Sequence, residues 1–231
     1  MKTIIGLLAS GSGASLEASI AVLKLRYPQI SFIGFSDREC GAYEVLSRNC
    51  KTTSICISSD NRLISISAAN FFAKNGCNFV ILSYGRLVTR DLYDKIPCYN
   101  IHPSLLPDYK GFGAIKAAFN DKVRCIGVTI HEVNETMDGG KIVCQAAVNP
   151  SLFNIEYWFS LSYLMKIVLM IAFVESQVQL DGDTRLTTVT ISPYLTEQIT
   201  LINMGISPIS KHSFMKIVPN STAFSISSAL K

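Results

Sequence analysis

The sequence predicts an α/β fold in which a mostly parallel, twisted sheet carries helices on both faces. Short apolar runs rich in β-branched and aromatic residues alternate along the chain with longer segments of helical apolar spacing. A chain of 231 residues, 48% hydrophobic and 16% charged, is also long enough to bury both faces of such a sheet. Because ligands of these sheets bind beyond the carboxyl ends of the strands, we expect the functional residues there.

The first part of the chain provides five predicted strands and three predicted helices. The strands are expected at 3–9, 30–35, 52–58, 79–83 and 98–102. The segments 15–27, 41–49 and 61–76 between them have helical length and spacing, and the last ends at a glycine, as helices commonly do. This strand-helix alternation predicts parallel pairing, with both faces of the sheet covered.

The rest of the chain has a different order. A short helix at 113–121 precedes two longer strands at 124–133 and 141–148, and a long apolar helix follows at 154–178. Beyond residue 183 the pattern weakens and shows no clear period. We therefore predict a principal domain over residues 1–183 and a C-terminal extension over 184–231, to which the sequence assigns no role.

Composition restricts the partners and the compartment. The net charge of +4 is mild and no polybasic run is visible, so no nucleic-acid partner is indicated. Small molecules, anionic ones among them, are favoured as ligands. The seven cysteines lie singly, without a C-x-x-C pair. That pattern is typical of reduced thiols in a cytoplasmic protein, with neither a disulfide nor a metal site.

One segment has nearly the length of a membrane span. Residues 157–174 are apolar but contain Lys166 near the centre and two serines. We therefore predict no membrane span. A buried helix is expected, with one face packed against a second copy of the chain in a homodimer.

The segment ASGSGAS, residues 9–15, follows a strand and opens a helix. Glycines at such a turn let the backbone approach an anion, and the helix N-terminus favours a phosphate. The sequence is neither G-x-G-x-x-G nor a Walker motif. A tight turn with Ser15 as the helix N-cap is therefore an alternative of about equal weight.

Asn100 and His102 are two residues apart on the predicted strand 98–102, so both side chains project from one face near its carboxyl end. Pro103 and Pro107 end the strand and stiffen the loop that follows. The alternative for His102 is a core histidine bonded to a neighbouring carbonyl group.

Asp138 lies in NETMDGG, residues 134–140, between the last two predicted strands. The two glycines after it permit a sharp change in backbone direction, and an aspartate in such a link is often only a turn residue. A functional role requires a partner, and the loop is expected to return beside His102.

Two stretches together resemble a known family. NIHPSLLPDYKG (100–111) and IGVTIHEVNETMDGGKIV (126–143) are similar to the folate-dependent formyltransferases, most closely the phosphoribosylglycinamide branch. The resemblance extends more loosely over residues 3–180. It implies a Rossmann-like formyltransferase fold, 10-formyltetrahydrofolate as the formyl-donating cosubstrate, and Asn100, His102 and Asp138 as the catalytic residues.

The resemblance also suggests roles for further positions. Thr129 and His131, on one side of their strand, match polar positions near the family's site and are given a supporting role, although His131 is equally well read as a surface residue. Other matched positions fall in three groups: the folate-pocket residues Arg86, Leu87, Val88 and Met137, the acceptor-phosphate loop Ser12, Gly13, Ala14 and Ser15, and Arg62, which is predicted to hold the same phosphate.

Departures from the family lie on the acceptor side. Ala14-Ser15 stands where the family usually has a serine-asparagine pair, Gly85 replaces a methionine, and Phe112-Gly113 follows the YKG segment where a histidine is typical. We therefore predict an N-formyltransferase acting on the primary amine of a small sugar-type acceptor, with a slight preference for an amino sugar. Phosphoribosylglycinamide is the alternative, and methionyl-tRNA or a non-catalytic scaffold ranks below both.

Overall fold

The computed structural model describes residues 3–178, together with the backbone of 188–190 and 198–202. The strands are β1 (Ile4–Ala9), β2 (Ser31–Ser36), β3 (Thr52–Ile55), β4 (Phe79–Ser83), β5 (Cys98–His102), β6 (Ile126–Glu132), β7 (Ile142–Val148), β8 (Thr188–Thr190) and β9 (Gln198–Ile202). The helices are α1 (Ala14–Arg26), α2 (Gly41–Asn49), α3 (Asn61–Lys74), α4 (Arg90–Tyr93), α5 (Ala114–Asn120) and α6 (Ile155–Gln177).

The chain divides into two compact units. The first comprises residues up to 101 together with 131–141, and the second comprises 102–130 and the chain from 142 onward. The predicted division at residue 183 stays a prediction, because 179–187 lie outside the described residues. Two strands within the predicted extension are described: β9 pairs antiparallel with both β7 and β8.

The first unit contains five parallel strands in the order β3-β2-β1-β4-β5. β1 is buried at five of its six positions, and β2 and β4 are nearly as apolar and buried. Strands buried on both faces lack polar alternation, which explains the near-continuous apolar runs in the sequence. The predicted parallel arrangement is confirmed.

Glycines admit a helix to each face of this sheet. A Cβ on Gly6 of β1 would lie 2.9 Å from the Phe72 ring of α3, and one on Gly34 of β2 would lie 2.8 Å from Leu46 of α2. Gly6 pairs with Ile33, the neighbour of Gly34, so the two glycines point to opposite faces. Helices therefore cover both faces, as predicted.

The second unit is organised around α6. Fourteen of its 23 residues are buried, and Asn154 caps its first turn by accepting a hydrogen bond from the Tyr157 amide at 3.0 Å. Trp158 packs edge-on against Phe119 and Phe153, whose rings stack with centroids 4.3 Å apart. This aromatic cluster joins the start of α6 to α5.

Within the described residues, α6 is the helix whose length and composition would suffice for a membrane crossing, and most of it is buried inside the protein. That burial is typical of the core helix of a soluble protein. Burial within the chain also explains why α6 is apolar, which was the observation behind the predicted homodimer. The homodimer therefore stays a prediction.

Several predicted bounds need correction. The third strand ends at Ile55 rather than at residue 58, α3 ends at Lys74 rather than 76, and the four-residue α4 was not predicted. Ser15 is not the N-cap of α1, because the helix begins at Ala14 with Gly13 in the N-cap position and no capping side chain. The left-handed backbone of Gly13, with φ at 74°, explains why a glycine stands there.

Candidate active site

The last strand of the first unit's sheet positions Asn100. β5 pairs in parallel with β4, and Asn100 lies opposite Leu82, one residue before β4 ends at Ser83. The asparagine therefore stands at the carboxyl end of the sheet, where open α/β folds bind their ligands. Its side chain is partly buried.

Three polar side chains meet there. The Asn100 amide nitrogen lies 3.2 Å from Nε2 of His131 and 3.3 Å from Oδ1 of Asp138, and these last two atoms are themselves 3.3 Å apart. His131 is 3% exposed and the Asp138 side chain 11%. The surface alternative for His131 is therefore wrong, and the structure brings together Asn100, Asp138 and His131.

The protonation of His131 follows from its second nitrogen. Nδ1 lies 2.8 Å from the backbone carbonyl oxygen of Glu132, which can only accept, so Nδ1 carries a hydrogen. In the neutral ring, Nε2 then accepts from Asn100 and faces the Asp138 carboxylate as a second acceptor. Nε2 and Oδ1 thus both face the Asn100 amide group as acceptors.

A sharp turn carries Asp138 to this position. Its φ of 48° lies in the left-handed region, and the next amide, of Gly139, donates to the Thr136 carbonyl at 3.1 Å. A Cβ on Gly140 would come within 1.7 Å of the Glu132 carbonyl oxygen. The two glycines are thus required by the backbone, and the aspartate adopts a conformation that asparagine and aspartate tolerate better than most residues.

His102 ends β5 and lies in the second unit. It is 5% exposed, and its Nε2 lies 2.8 Å from the carbonyl oxygen of Tyr109, so Nε2 donates in that contact. The loop between these residues is held by Ser104, whose hydroxyl donates to the Asp108 carbonyl at 2.7 Å. Asp138 was predicted beside His102; the partners described for Asp138 within its own unit are Asn100 and His131.

Thr129 holds the loop between His102 and Tyr109 through two hydrogen bonds. It is fully buried, donates to the Ser104 carbonyl at 2.7 Å, and accepts from the Leu106 amide at 3.1 Å. Gln145 of β7 donates to both Thr129 and the Leu106 carbonyl. Sequence reasoning missed Gln145 and Ser104, because a single polar residue in a strand or loop does not reveal its partner.

The predicted phosphate loop packs tightly on α2. The Ala42 amide donates to the Gly11 carbonyl at 2.9 Å, and a Cβ on Gly13 would lie 2.6 Å from the Ala42 backbone. The uncapped start of α1 therefore comprises Ser12, Gly13, Ala14 and Ser15. Arg62, at the start of α3, is largely exposed and pairs with Asp91 at 3.4 Å.

The predicted folate segment is anchored by its arginine. One Arg86 nitrogen donates to the Ser58 carbonyl at 2.7 Å and lies 3.2 Å from Oδ2 of Asp37, and the other donates to the Ser59 carbonyl. Val88 packs on the core, whereas Leu87 and Met137 are exposed. The Arg86 guanidinium is thus engaged with its own chain, which leaves the exposed side chains and backbone of this segment for a ligand.

Asp37 is fully buried beneath two arginines. Burial opposes its ionisation, but hydrogen bonds from Arg38, at 2.9 and 2.6 Å, and from Arg86 outweigh it and lower the pKa of the carboxyl group. The carboxylate therefore holds together the loops that follow β2, β3 and β4.

The described residues contain no group of three or more His, Cys, Asp or Glu side chains that could hold a metal ion. All seven cysteines are free, and burial raises the pKa of Cys50, Cys77, Cys98 and Cys144 to about 12. These four thiols are poor nucleophiles at neutral pH.

Comparison with known proteins finds a family match over part of the chain and several similar proteins. Residues 58–150 match the model of the formyl transferase family. The methionyl-tRNA formyltransferase of Fervidobacterium nodosum is 43% identical over 68 residues, 29% of this chain and 22% of that protein. The enzyme of the same name from Borreliella burgdorferi strain ZS7 is 30% identical over 148 residues, 59% of this chain and 46% of that protein.

The chain thus spans less than half the length of these two curated relatives. A solved structure, phosphoribosylglycinamide formyltransferase from Bacillus halodurans, superposes with a TM-score of 0.67 at 26% identity, covering 77% of this chain and 96% of that one. The resemblance predicted from residues 100–111 and 126–143 is confirmed: residues 58–150 match the formyl transferase family, whose formyl donor is 10-formyltetrahydrofolate, and most of the chain is similar to a solved phosphoribosylglycinamide formyltransferase.

Proposed function

We propose that this protein transfers the formyl group of 10-formyltetrahydrofolate to the primary amine of a small acceptor. The observation that carries the proposal is the contact of the Asn100 amide with both His131 and Asp138 at the carboxyl end of the sheet. A neutral hydrogen-bond donor, a carboxylate and an imidazole within 3.3 Å of one another are the groups that acyl transfer to an amine requires.

The chemistry assigns each group a task. The amine nitrogen attacks the formyl carbon, and the carbonyl oxygen becomes negative in the tetrahedral intermediate. The Asn100 amide would donate to that oxygen after releasing one of its two present contacts, and His102 would donate through Nδ1 when its ring carries both hydrogens. The amine must lose a proton, which the Asp138 and His131 pair accepts. The bond to the folate N10 then breaks, and N10 takes a proton as it leaves. No enzyme nucleophile takes part in this sequence.

The flanking segments would bind the two substrates. Leu87 and Met137 offer apolar side chains to the folate, with Val88 behind them and Arg86 fixing the segment's backbone. The start of α1, from Ser12 to Ser15, offers backbone N–H groups to an acceptor phosphate. Arg62, largely exposed, would add a positive charge on the acceptor side.

Among acceptors, we favour phosphoribosylglycinamide. The support is that this chain aligns with 96% of the phosphoribosylglycinamide enzyme of Bacillus halodurans, but with less than half of the two methionyl-tRNA enzymes. The relatives reported above are named for a glycinamide ribonucleotide and for a tRNA, so they lend no support to the amino sugar that the sequence slightly favoured. The amino sugar and methionyl-tRNA are therefore tested beside phosphoribosylglycinamide.

The test mixes the purified full chain with 10-formyltetrahydrofolate and one amine at a time, and follows the release of tetrahydrofolate. Phosphoribosylglycinamide, nucleotide-linked amino sugars and methionyl-tRNA are the three arms. We expect turnover with the first, and the fastest arm identifies the acceptor. No release with any amine, together with no binding of a folate analogue, would overturn the proposed activity.

Two variants separate chemistry from folding. Asn100→Ala and His102→Ala should each abolish turnover while the melting temperature stays close to that of the wild type. Asn120→Ala, at an exposed position on α5, is the matched control and should retain full activity. If His102→Ala does not fold, the core alternative for this histidine gains support over the catalytic one.

A further inference from the structure

The second unit contains a cleft of about 370 Å³ that the proposed reaction does not use. It lies between the loop that follows β5, helix α5 and the beginning of β6, and one wall is provided by α6. Its volume is within the range of small-molecule sites, about 300–1,000 Å³. The part that carries chemistry comprises Asp108, Tyr109, Arg124 and Ser162, and Ile115 and Val123 add apolar surface.

Ser162 contributes a polar group without a partner. Serines inside helices commonly donate to the carbonyl four residues earlier, and Ser19, Ser65 and Ser160 do so at 2.7–3.0 Å. Ser162 of α6 is 2% exposed, and within the part of the chain that the structure describes its hydroxyl has no hydrogen-bond partner. A buried hydroxyl in the wall of a cleft is left unsatisfied unless a ligand or a water reaches it.

Two opposite charges stand on the same cleft without neutralising each other. Asp108 and Arg124 both line it and both are exposed, yet neither takes part in an ion pair among the described residues. By contrast, five other described arginines each pair with an acidic side chain: Arg38, Arg48, Arg62, Arg86 and Arg90. The cleft therefore offers one free anion and one free cation around an apolar interior.

We propose that this cleft binds a zwitterionic amino acid with an apolar side chain. Arg124 would hold the carboxylate, because a guanidinium matches its two oxygens. Asp108 would hold the ammonium group, and the apolar side chain would rest on Ile115 and Val123. A ligand that carries only one of these charges would lie beside one side chain of opposite charge and one side chain of the same charge.

The position of the cleft connects it to the catalytic loop. Tyr109 lines the cleft, and its carbonyl oxygen is the acceptor 2.8 Å from Nε2 of His102. Its φ of 55° places it in the left-handed region, which a tyrosine seldom adopts. An amino acid bound here would thus contact the loop that holds a catalytic side chain.

Titration calorimetry with the full chain tests the proposal, using L-phenylalanine as the probe. 3-Phenylpropionate lacks the ammonium group and 2-phenylethylamine lacks the carboxylate, and each should bind at least about tenfold more weakly than phenylalanine. No folate or acceptor is present, so the outcome is independent of whether formyl transfer occurs.

Charge variants assign the contacts. Arg124→Gln and Asp108→Asn should each weaken phenylalanine about tenfold. Arg124→Gln should not weaken 2-phenylethylamine, and Asp108→Asn should not weaken 3-phenylpropionate, because each change removes a charge of the same sign as the ligand. Lys116→Gln, an exposed charge on α5 outside the cleft, is the matched control and should change nothing. Melting temperatures of all variants check that each is folded.

Absence of phenylalanine binding to the wild type at about 10 mM would overturn the proposal. So would binding that Arg124→Gln and Asp108→Asn both leave unchanged, because the ligand would then lie elsewhere. Ser162→Leu, which fills the cleft, should abolish binding, and retained affinity in a folded Ser162→Leu protein would count against this site in the same way.

Discussion

Nε2 of His131 and Oδ1 of Asp138 lie 3.3 Å apart, while Nδ1 of the same ring is committed to the Glu132 carbonyl. The imidazole therefore has only one nitrogen directed at the site, and that nitrogen faces a carboxylate. In the proposed reaction this pair is oriented before any substrate arrives, which is the condition for efficient proton transfer.

Asp138→Asn removes the carboxylate and keeps the shape. Asparagine tolerates the left-handed backbone at φ 48°, so the turn should survive. We expect formyl transfer to fall by about 10²–10⁴-fold, because the amine proton loses its acceptor. Steady-state kinetics measures the loss. Glu135→Gln, an exposed acid in the same link, is the matched control, and an equal loss there would contradict a specific role for Asp138.

His131→Gln keeps a hydrogen-bonding side chain for Asn100 but cannot take up a proton. We expect kcat to fall by about tenfold or more, because the amine proton loses one of its acceptors. A purely structural role would lower the melting temperature and leave kcat per folded molecule unchanged. Recording both quantities on the same protein therefore distinguishes the two roles.

Asp37→Asn tests the buried anchor of the folate segment. Losing the charge leaves Arg38 and Arg86 without their anion, and breaking a buried pair costs about 3–5 kcal/mol. The folded-state pKa of Asp37 is lowered, so its contribution is complete above the pKa of the unfolded chain and is lost as the pH falls through the folded-state pKa.

Urea unfolding of wild type and Asp37→Asn should therefore differ most at neutral pH, and the difference should shrink below about pH 4. Asp94→Asn is the matched control, because Asp94 pairs with Arg90 on the surface, where solvent screens the charges, and its loss should change the stability far less than Asp37→Asn does. A difference between wild type and Asp37→Asn that does not vary with pH would exclude the carboxylate charge as its cause.

Lys166→Met tests a partly buried charge in α6. Burial lowers the pKa of the Lys166 ammonium group, so the unfolded chain binds more protons than the folded one between the two pKa values. Wild-type stability should then rise as the pH increases through that range. We expect Lys166→Met to melt higher at pH 7, by about 2–4 °C per kcal/mol gained, with the gap narrowing towards pH 10. The exposed Lys116→Met should show no such pH-dependent gap.

Sequence patterns located most of the fold for a physical reason. Strands such as Ile4–Ala9 and Phe79–Ser83 are buried on both faces, and glycines such as Gly76 follow helix ends. Both features can be recognised from local composition. The four-residue α4 and the early end of β3 depend on tertiary contacts, which local composition does not encode.

The candidate site was predictable only in part. Asn100 and Asp138 were recognised from their motifs, and both meet in the structure. The central position of His131 depends on its ring being buried and on the Glu132 carbonyl fixing its tautomer. Asp37 anchors Arg86, which lies 49 positions away along the chain. A contact over that separation leaves no periodic pattern in the sequence.

Ser10 makes two contacts that bear on how the substrates would bind. Its amide donates to the Ser83 carbonyl at 3.1 Å, and its hydroxyl accepts from the Gly85 amide at 3.0 Å. The loop proposed for the acceptor phosphate and the segment proposed for the folate are thus tied at one residue. A ligand that orders one of these segments also restricts the other, so less conformational entropy is lost when the second ligand binds. The folate and the acceptor would therefore each strengthen the binding of the other.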